Sequence, residues 1–235
     1  MIQLEICANS VTSALIAQEG GATRIELCEN LTEGGTTPSY AQIQIARKQV
    51  DIDLFPILRP RGGNFYYSDL EFEIMKADLK IIKDLGCNGV VFGILNQDGT
   101  INKYRCAELL KIAQPLQVTF HRAFDKSADL FQAMEDIIML GFNRILTSGG
   151  KATAIEGLET IKKLVIAAKG RISIMPGSGV DEMNLHELII ETGAVEFHTT
   201  AKSYVPNASN YPEYNRELTN LEKVKNLVNI IKRRS

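Results

Sequence analysis

Residues 4–28 read LEICANSVTSALIAQEGGATRIELC and divide into three pieces. Leu4–Ala8 is a short apolar run, Val11–Gln18 has helical spacing, and Thr23–Cys28 is a second apolar run. Ser10 stands where an N-cap belongs, and Gly20-Gly21 stands where the helix must stop. Two strands joined by a helix make a parallel unit, because a parallel pair needs a long crossover connection. Six more apolar runs follow: DLFPILR (Asp53–Arg59), GVVFGIL (Gly89–Leu95), QVTFHR (Gln117–Arg122), NRILTS (Asn143–Ser148), RISIMPG (Arg171–Gly177) and VEFHTT (Val195–Thr200). Runs that are apolar throughout, rather than alternating, are strands buried on both faces.

Helical stretches separate all of these runs. The second opens at Pro38; the others span Asp69–Leu85, Lys103–Ala113, Asp129–Leu140, Ala154–Ala168 and Asn184–Glu191, with Gly86, Gly141, Gly170 and Gly193 as stops. The pattern predicts an α/β chain folded as a single closed (β/α)8 TIM-type barrel over residues 1–202, with a C-terminal extension over 203–235. Across the start of that extension, Lys202–Asn220 reads as a surface loop rich in Asn, Ser, Pro and Tyr. An amphipathic helix, Leu221–Lys232, follows; it either covers the barrel or serves an interface in a homodimer.

The chain of 235 residues carries a net charge of −2, with no basic excess of the kind nucleic-acid binding requires. Its start, MIQLEICANS, reads as a strand rather than a secretory leader, and no apolar run approaches the ~20 residues that span a bilayer. Four widely spaced cysteines, Cys7, Cys28, Cys87 and Cys106, form no Cys-x-x-Cys pair. A cytoplasmic protein with reduced thiols, bound to neither membrane nor nucleic acid, is the expectation.

In a TIM-type barrel the strand C-termini carry the chemistry, and polar residues collect there in this chain. FHRAFD (Phe120–Asp125) offers His121 as acid–base group or metal ligand, Arg122 as an anion clamp, and Asp125 as an orienter of either. RPRGGNFYYS (Arg59–Ser68) offers Arg59 and Arg61, whose planar forks suit carboxylate or phosphate. Alternatively, they neutralise Glu5 and Glu26 inside the barrel. The turns Ser148-Gly149-Gly150 and Gly177-Ser178-Gly179 offer backbone N–H groups to an anion. His198, on the last run, either contacts substrate or metal or is a satisfied structural residue. The runs LEICAN and IELCEN echo each other, aligning Glu5 with Glu26 and Cys7 with Cys28. On neighbouring strands the two thiols form a candidate site for linear Cu(I), with small buried hydrophobes as the plainer role.

Together LEICANS, RIELCENLTEGGTTPS, RPRGGNFYYSD, TFHRAFD, ILTSGG, MPGSGV and EFHTTA resemble the CutC family, in order, across about residues 3–201. The resemblance implies a TIM-type barrel, a cytoplasmic location and a role in copper homeostasis. Some relatives carry a thiol in the loop that here reads Phe65-Tyr66-Tyr67. Two functions follow as expectations. One is copper handling, with Cu(I) the only cofactor implied, held by Cys7 and Cys28. The other is an enzyme acting on a small anionic metabolite, with Glu26 and His121 moving protons. There Glu5, Arg59, Arg61, Arg122, His198 and the two glycine turns would hold the anion.

Overall fold

The computed structural model describes residues 2–205 and 216–233. Eight parallel strands alternate with helices: β1 (Gln3–Ala8), α1 (Val11–Glu19), β2 (Arg24–Leu27), α2 (Tyr40–Gln49), β3 (Asp53–Pro56), α3 (Asp69–Asp84), β4 (Gly89–Phe92), α4 (Lys103–Ala113), β5 (Gln117–Phe120), α5 (Leu130–Leu140), β6 (Arg144–Thr147), α6 (Leu158–Ala168), β7 (Ser173–Pro176), α7 (Leu185–Thr192) and β8 (Glu196–Thr199). Ser10, Gly141 and Gly193 cap where the sequence suggests, and Ser68 adds a cap it did not single out. Ser10 accepts from Ser13 N, Ser68 and Glu71 form a reciprocal capping box on α3, and Gly141 and Gly193 end α5 and α7 in the left-handed conformation.

The ladder runs in two halves, β3-β2-β1-β8 and β4-β5-β6-β7. The first and last strands pair directly, Glu5 opposite His198, which closes the ring. Between β3 and β4 the halves are joined by Leu58 N donating to Val91 O at 2.7 Å and Asn88 N to Leu54 O at 3.2 Å. At the other seam, Thr199 Oγ1 donates to Val180 O, and Gly177 lies against the His198 side chain.

Three expectations change. The pairing is Glu5 to Arg24 and Cys7 to Glu26, so the echoed carboxylates and thiols are staggered by two residues rather than side by side. Tilted strands in a closed barrel must be staggered in this way. Helix α6 begins at Leu158, not Ala154, because the segment before it folds back over the Ser148 turn; a Cβ on Gly157 would lie 1.9 Å from Ser148 O. Part of the stretch expected as a loop forms an antiparallel hairpin, β9 (Lys202–Val205) with β10 (Arg216–Thr219); residues 206–215 lie outside the described residues. Helix α8 (Leu221–Lys232) then takes the eighth place in the outer ring, in contact with α1 and α7 and burying Val224, Leu227 and Ile231. Among the described residues no helix is long and apolar enough to cross a membrane.

The barrel's lower interior is ionic. Arg24 donates to Glu5 and Glu196, and Arg144 Nε donates to Glu196 at 3.0 Å. The two guanidinium carbons stack over the Phe55 ring at 5.2 and 5.1 Å. Gly89 makes room for that ring: a Cβ there would stand 2.4 Å from Phe55 Cζ. Because two fixed guanidinium groups pack on Phe55, the ring has little room to yield, so Gly89→Ala is expected to cost about 1–3 kcal/mol through overpacking. Denaturant unfolding checks this; a change below about 0.5 kcal/mol, the range of an unremarkable surface substitution, would show that the ring does yield.

Candidate functional site

A cavity of about 420 Å³ opens at the C-terminal mouth of the barrel. Cys7, Glu26, Arg59, His121, Arg122, Ser178, Gly179 and His198 line it, with Leu31, Phe65 and Leu146 among the apolar lining. Seven of these polar residues fall where strands β1, β2, β3, β5, β7 and β8 end or just beyond. Two glycines clear space for the histidines. A Cβ on Gly93 would stand 2.7 Å from His121 Nδ1, and one on Gly177 would stand 3.2 Å from His198 Cβ.

One wall holds Cys7, Glu26 and His198, whose ligand atoms all lie within 4.8 Å of one another. His198 Nδ1 donates to Glu5 Oε1 at 2.6 Å, and its Nε2 lies 3.7 Å from Glu26 Oε2. Burial alone would push the Glu5 carboxyl up, but the Arg24 charge and then His198 outweigh it and hold Glu5 well below the usual carboxylate range. Burial opposes charge on His198, yet the Glu26 and Glu5 carboxylates overcome it and raise its pKa. Glu26 is raised by burial, with Glu5 adding to the effect against His198, Cys7 and Arg24. The hydrogen bond with Cys28, followed by burial, pushes the Cys7 thiol well above its ordinary range.

Cys28 stands behind this wall. Its sulfur lies 3.4 Å from the Cys7 sulfur and donates to Ala8 O at 3.6 Å. It is fully buried in a small apolar nest with Phe55, Ile57 and Val91, so only Cys7 faces the cavity. A linear ion with two bonds of about 2.3 Å needs sulfurs about 4.6 Å apart. The shorter spacing suits a bent site with a third donor, and the His198 imidazole is grouped with Cys7.

The opposite wall is rich in donors. Arg59 is buried, and its guanidinium donates to the carbonyls of Glu33, Gly35 and Gly63 at 2.6, 2.7 and 2.9 Å. Among the described residues no carboxylate pairs with it, and it makes no contact with Glu5 or Glu26. His121 is also buried; its Nδ1 accepts from Ala123 N at 3.2 Å, which leaves the ring proton on Nε2. Burial, with the Arg59 charge nearby, lowers the His121 pKa to about 3, so the ring is neutral.

The remaining predicted residues are engaged elsewhere. Arg61 points away from the cavity and binds Glu71 at 2.5 Å at the start of α3. In the Ser148-Gly149-Gly150 turn, Ser148 N and Gly150 N donate to the Asp125 carboxylate at 3.1 and 3.0 Å, and Gly149 N donates to Thr147 Oγ1. Arg122 Nε also binds Asp125, at 2.9 Å. This cradle therefore holds an internal anion. Gly177 N donates to Thr147 O at 2.9 Å. Ser178 N and Gly179 N have no protein acceptor among the described residues, and Ser178 is held at φ 76°, in the left-handed region. Sequence reasoning passed over Arg24, Arg144 and Glu196. The available signal was an arginine or glutamate just inside the start of an otherwise apolar strand run, as in TRIELC, NRILTS and VEFHTT.

The model of the CutC family matches residues 2–203. The copper homeostasis protein cutC homolog of Homo sapiens is 46% identical over 242 residues, covering 97% of this chain and 89% of that protein. The family protein CutC of Chromobacterium violaceum is 48% identical over 208 residues, 88% of this chain and 84% of that protein. The crystal structure of CutC from Streptococcus agalactiae superposes with a TM-score of 0.81 at 38% identity, covering 85% of this chain and 99% of that one. Thiamine phosphate pyrophosphorylase from Pyrococcus furiosus superposes at 0.63 with 16% identity over 99% of this chain and 96% of that one, a likeness of fold alone.

Proposed function

The chain belongs to the CutC family, and we propose that it serves copper homeostasis in the cytoplasm by holding Cu(I) on Cys7 and Cys28, with His198 as third donor. The observation that carries this reading is the Cys7 sulfur at the mouth of the barrel, grouped with the His198 imidazole and 3.4 Å from the Cys28 sulfur buried behind it. Two thiols and an imidazole form a soft donor set, the chemistry that selects Cu(I) over harder ions.

Titration with Cu(I) under reducing conditions against a competing chelator tests it. The parent protein is expected to bind tightly, and Cys7→Ser with Cys28→Ser to bind at least about a hundredfold more weakly. Equal binding by both proteins would remove the sulfurs from the site, and no tight binding by either would refute direct handling of the ion.

The reading also fixes a pH dependence. The Cys7 thiol is protonated at neutral pH, since its pKa lies well above the ordinary value, and His198 is raised as well. The ion must displace these protons, so apparent affinity is expected to climb with pH by about one decade per unit for each proton released. A flat profile from pH 6 to 8 would show that neither group is a ligand.

The 3.7 Å approach of Glu26 to His198 favours a second reading, acid–base catalysis on a small anionic metabolite. Both groups have raised pKa values and face the cavity, an arrangement suited to proton transfer.

A further inference from the structure

Buried polar groups are almost always partnered, so those without a partner are informative. Arg59 Nε and His121 Nε2 are two of the few such side-chain atoms among the described residues. Both residues are nine-tenths or more buried, both line the cavity, and both pack on the Phe65 ring. The Arg59 guanidinium carbon lies 4.9 Å from the ring centroid, and the His121 ring centre also lies 4.9 Å from it. Each has one N–H without an acceptor. The three carbonyls fix the Arg59 guanidinium in place but leave its charge unneutralised, because they are dipoles, not anions.

The charges around it decide what such a corner attracts. On the facing wall His198 is balanced by Glu5, and Arg122 at the rim is balanced by Asp125. Glu26 stands on that same wall, 3.7 Å from His198 Nε2. Arg59 is thus a buried cation of the cavity that no carboxylate answers among the described residues.

We propose that the Arg59–His121 corner is a binding subsite for the carboxylate of a small organic anion, accepting one hydrogen bond from Arg59 Nε and one from His121 Nε2. Two single donors match the two oxygens of a planar carboxylate, and the neighbouring unpartnered donor, the Tyr67 hydroxyl, does not line the cavity. Neutral imidazole suits this role, since it donates without placing a second cation beside Arg59, and its pKa of about 3 keeps it neutral. The subsite deepens the acid–base reading by naming the substrate class, and it is independent of the sulfurs that would hold copper.

Titration of 15N-labelled protein with sodium malonate, followed on the His121 Nε2 and Arg59 Nε resonances at constant ionic strength, tests the subsite. Both resonances are expected to shift and saturate together, and His121→Phe, which keeps an aromatic ring against Phe65, to weaken binding at least fivefold. Arg59→Lys is the companion variant, retaining the charge that ties the loop while losing the Nε donor, and is expected to weaken binding likewise. Inorganic phosphate in a parallel titration is expected to bind more weakly; tighter phosphate binding through the same resonances would overturn the carboxylate assignment. Malonate that moves neither resonance in the folded parent, or that binds His121→Phe equally well, would overturn the subsite. Because the readout is binding alone, a bound carboxylate that is never turned over would fail the acid–base reading while leaving the subsite standing.

Discussion

Arg24→Met is expected to lower the stability of the fold by about 3–5 kcal/mol at neutral pH, the range for removing one partner from a buried ion pair. The Arg24 side chain is 2% exposed and donates to both Glu5 and Glu196. Its loss leaves Glu5, fully buried, with His198 alone, and Glu196, 11% exposed, with Arg144 as its remaining cation. The pH dependence has a definite sign. The folded-state pKa of Glu5 is held well below its ordinary value of about 4.5, and that of Glu196 is lowered too. A depressed carboxyl stabilises the fold above the unfolded pKa and loses that contribution as pH falls through the folded one. The gap between parent and variant is therefore widest near pH 7 and narrows below about pH 4.5, where the carboxyls begin to take up protons. Denaturant unfolding at pH 7 and pH 4 separates charge from packing. An equal gap at both pH values would mean that the methionine merely packs poorly.

Asp125→Ala is expected to cost about 2–4 kcal/mol, because several charge-assisted hydrogen bonds lose one acceptor together. The carboxylate, 2% exposed, accepts from Thr147 Oγ1, from Ser148 N and Oγ, from Gly150 N and from Arg122. The donors remain in place around a missing anion, so formate is expected to raise the melting temperature of the variant more than that of the parent. Asp125→Asn should fall between the two, since an amide oxygen accepts but carries no charge. A variant as stable as the parent would mean that the turn holds its shape without the carboxylate.

The architecture was legible because each strand run is largely apolar without strict alternation and the crossovers carry start and stop residues. Ser10, Gly141 and Gly193 act where the pattern places them. The ring of polar residues at one mouth was legible for the same reason: Cys7, Glu26, Arg59, His121 and His198 sit at or beside the ends of strands. Three features were not legible. The two-residue stagger that sets Cys7 against Glu26 follows from the tilt of a closed barrel, and no single strand encodes it. The capture of Asp125 by the Ser148 turn joins residues 23 and 25 positions apart, so the turn reads as open until the fold brings its occupant. Arg59 was weighed as a partner for Glu5 or Glu26, but loop carbonyls reach it first, and only the path of residues 33–63 decides that.

The pairing of β1 with β8 has a consequence for synthesis. Glu5 and its partner His198 are 193 residues apart, and at about 5–20 residues per second the ribosome needs roughly ten to forty seconds to make the second after the first. Throughout that interval β1 presents an open edge, and Arg24 has Glu5 but lacks Glu196. Helix α1 likewise waits for α8, whose Val224 comes to rest against Gly20. An unpaired, largely apolar edge is a template for pairing with another chain. The nascent protein is therefore most exposed to aggregation and to chaperone capture just before its last strand leaves the exit tunnel.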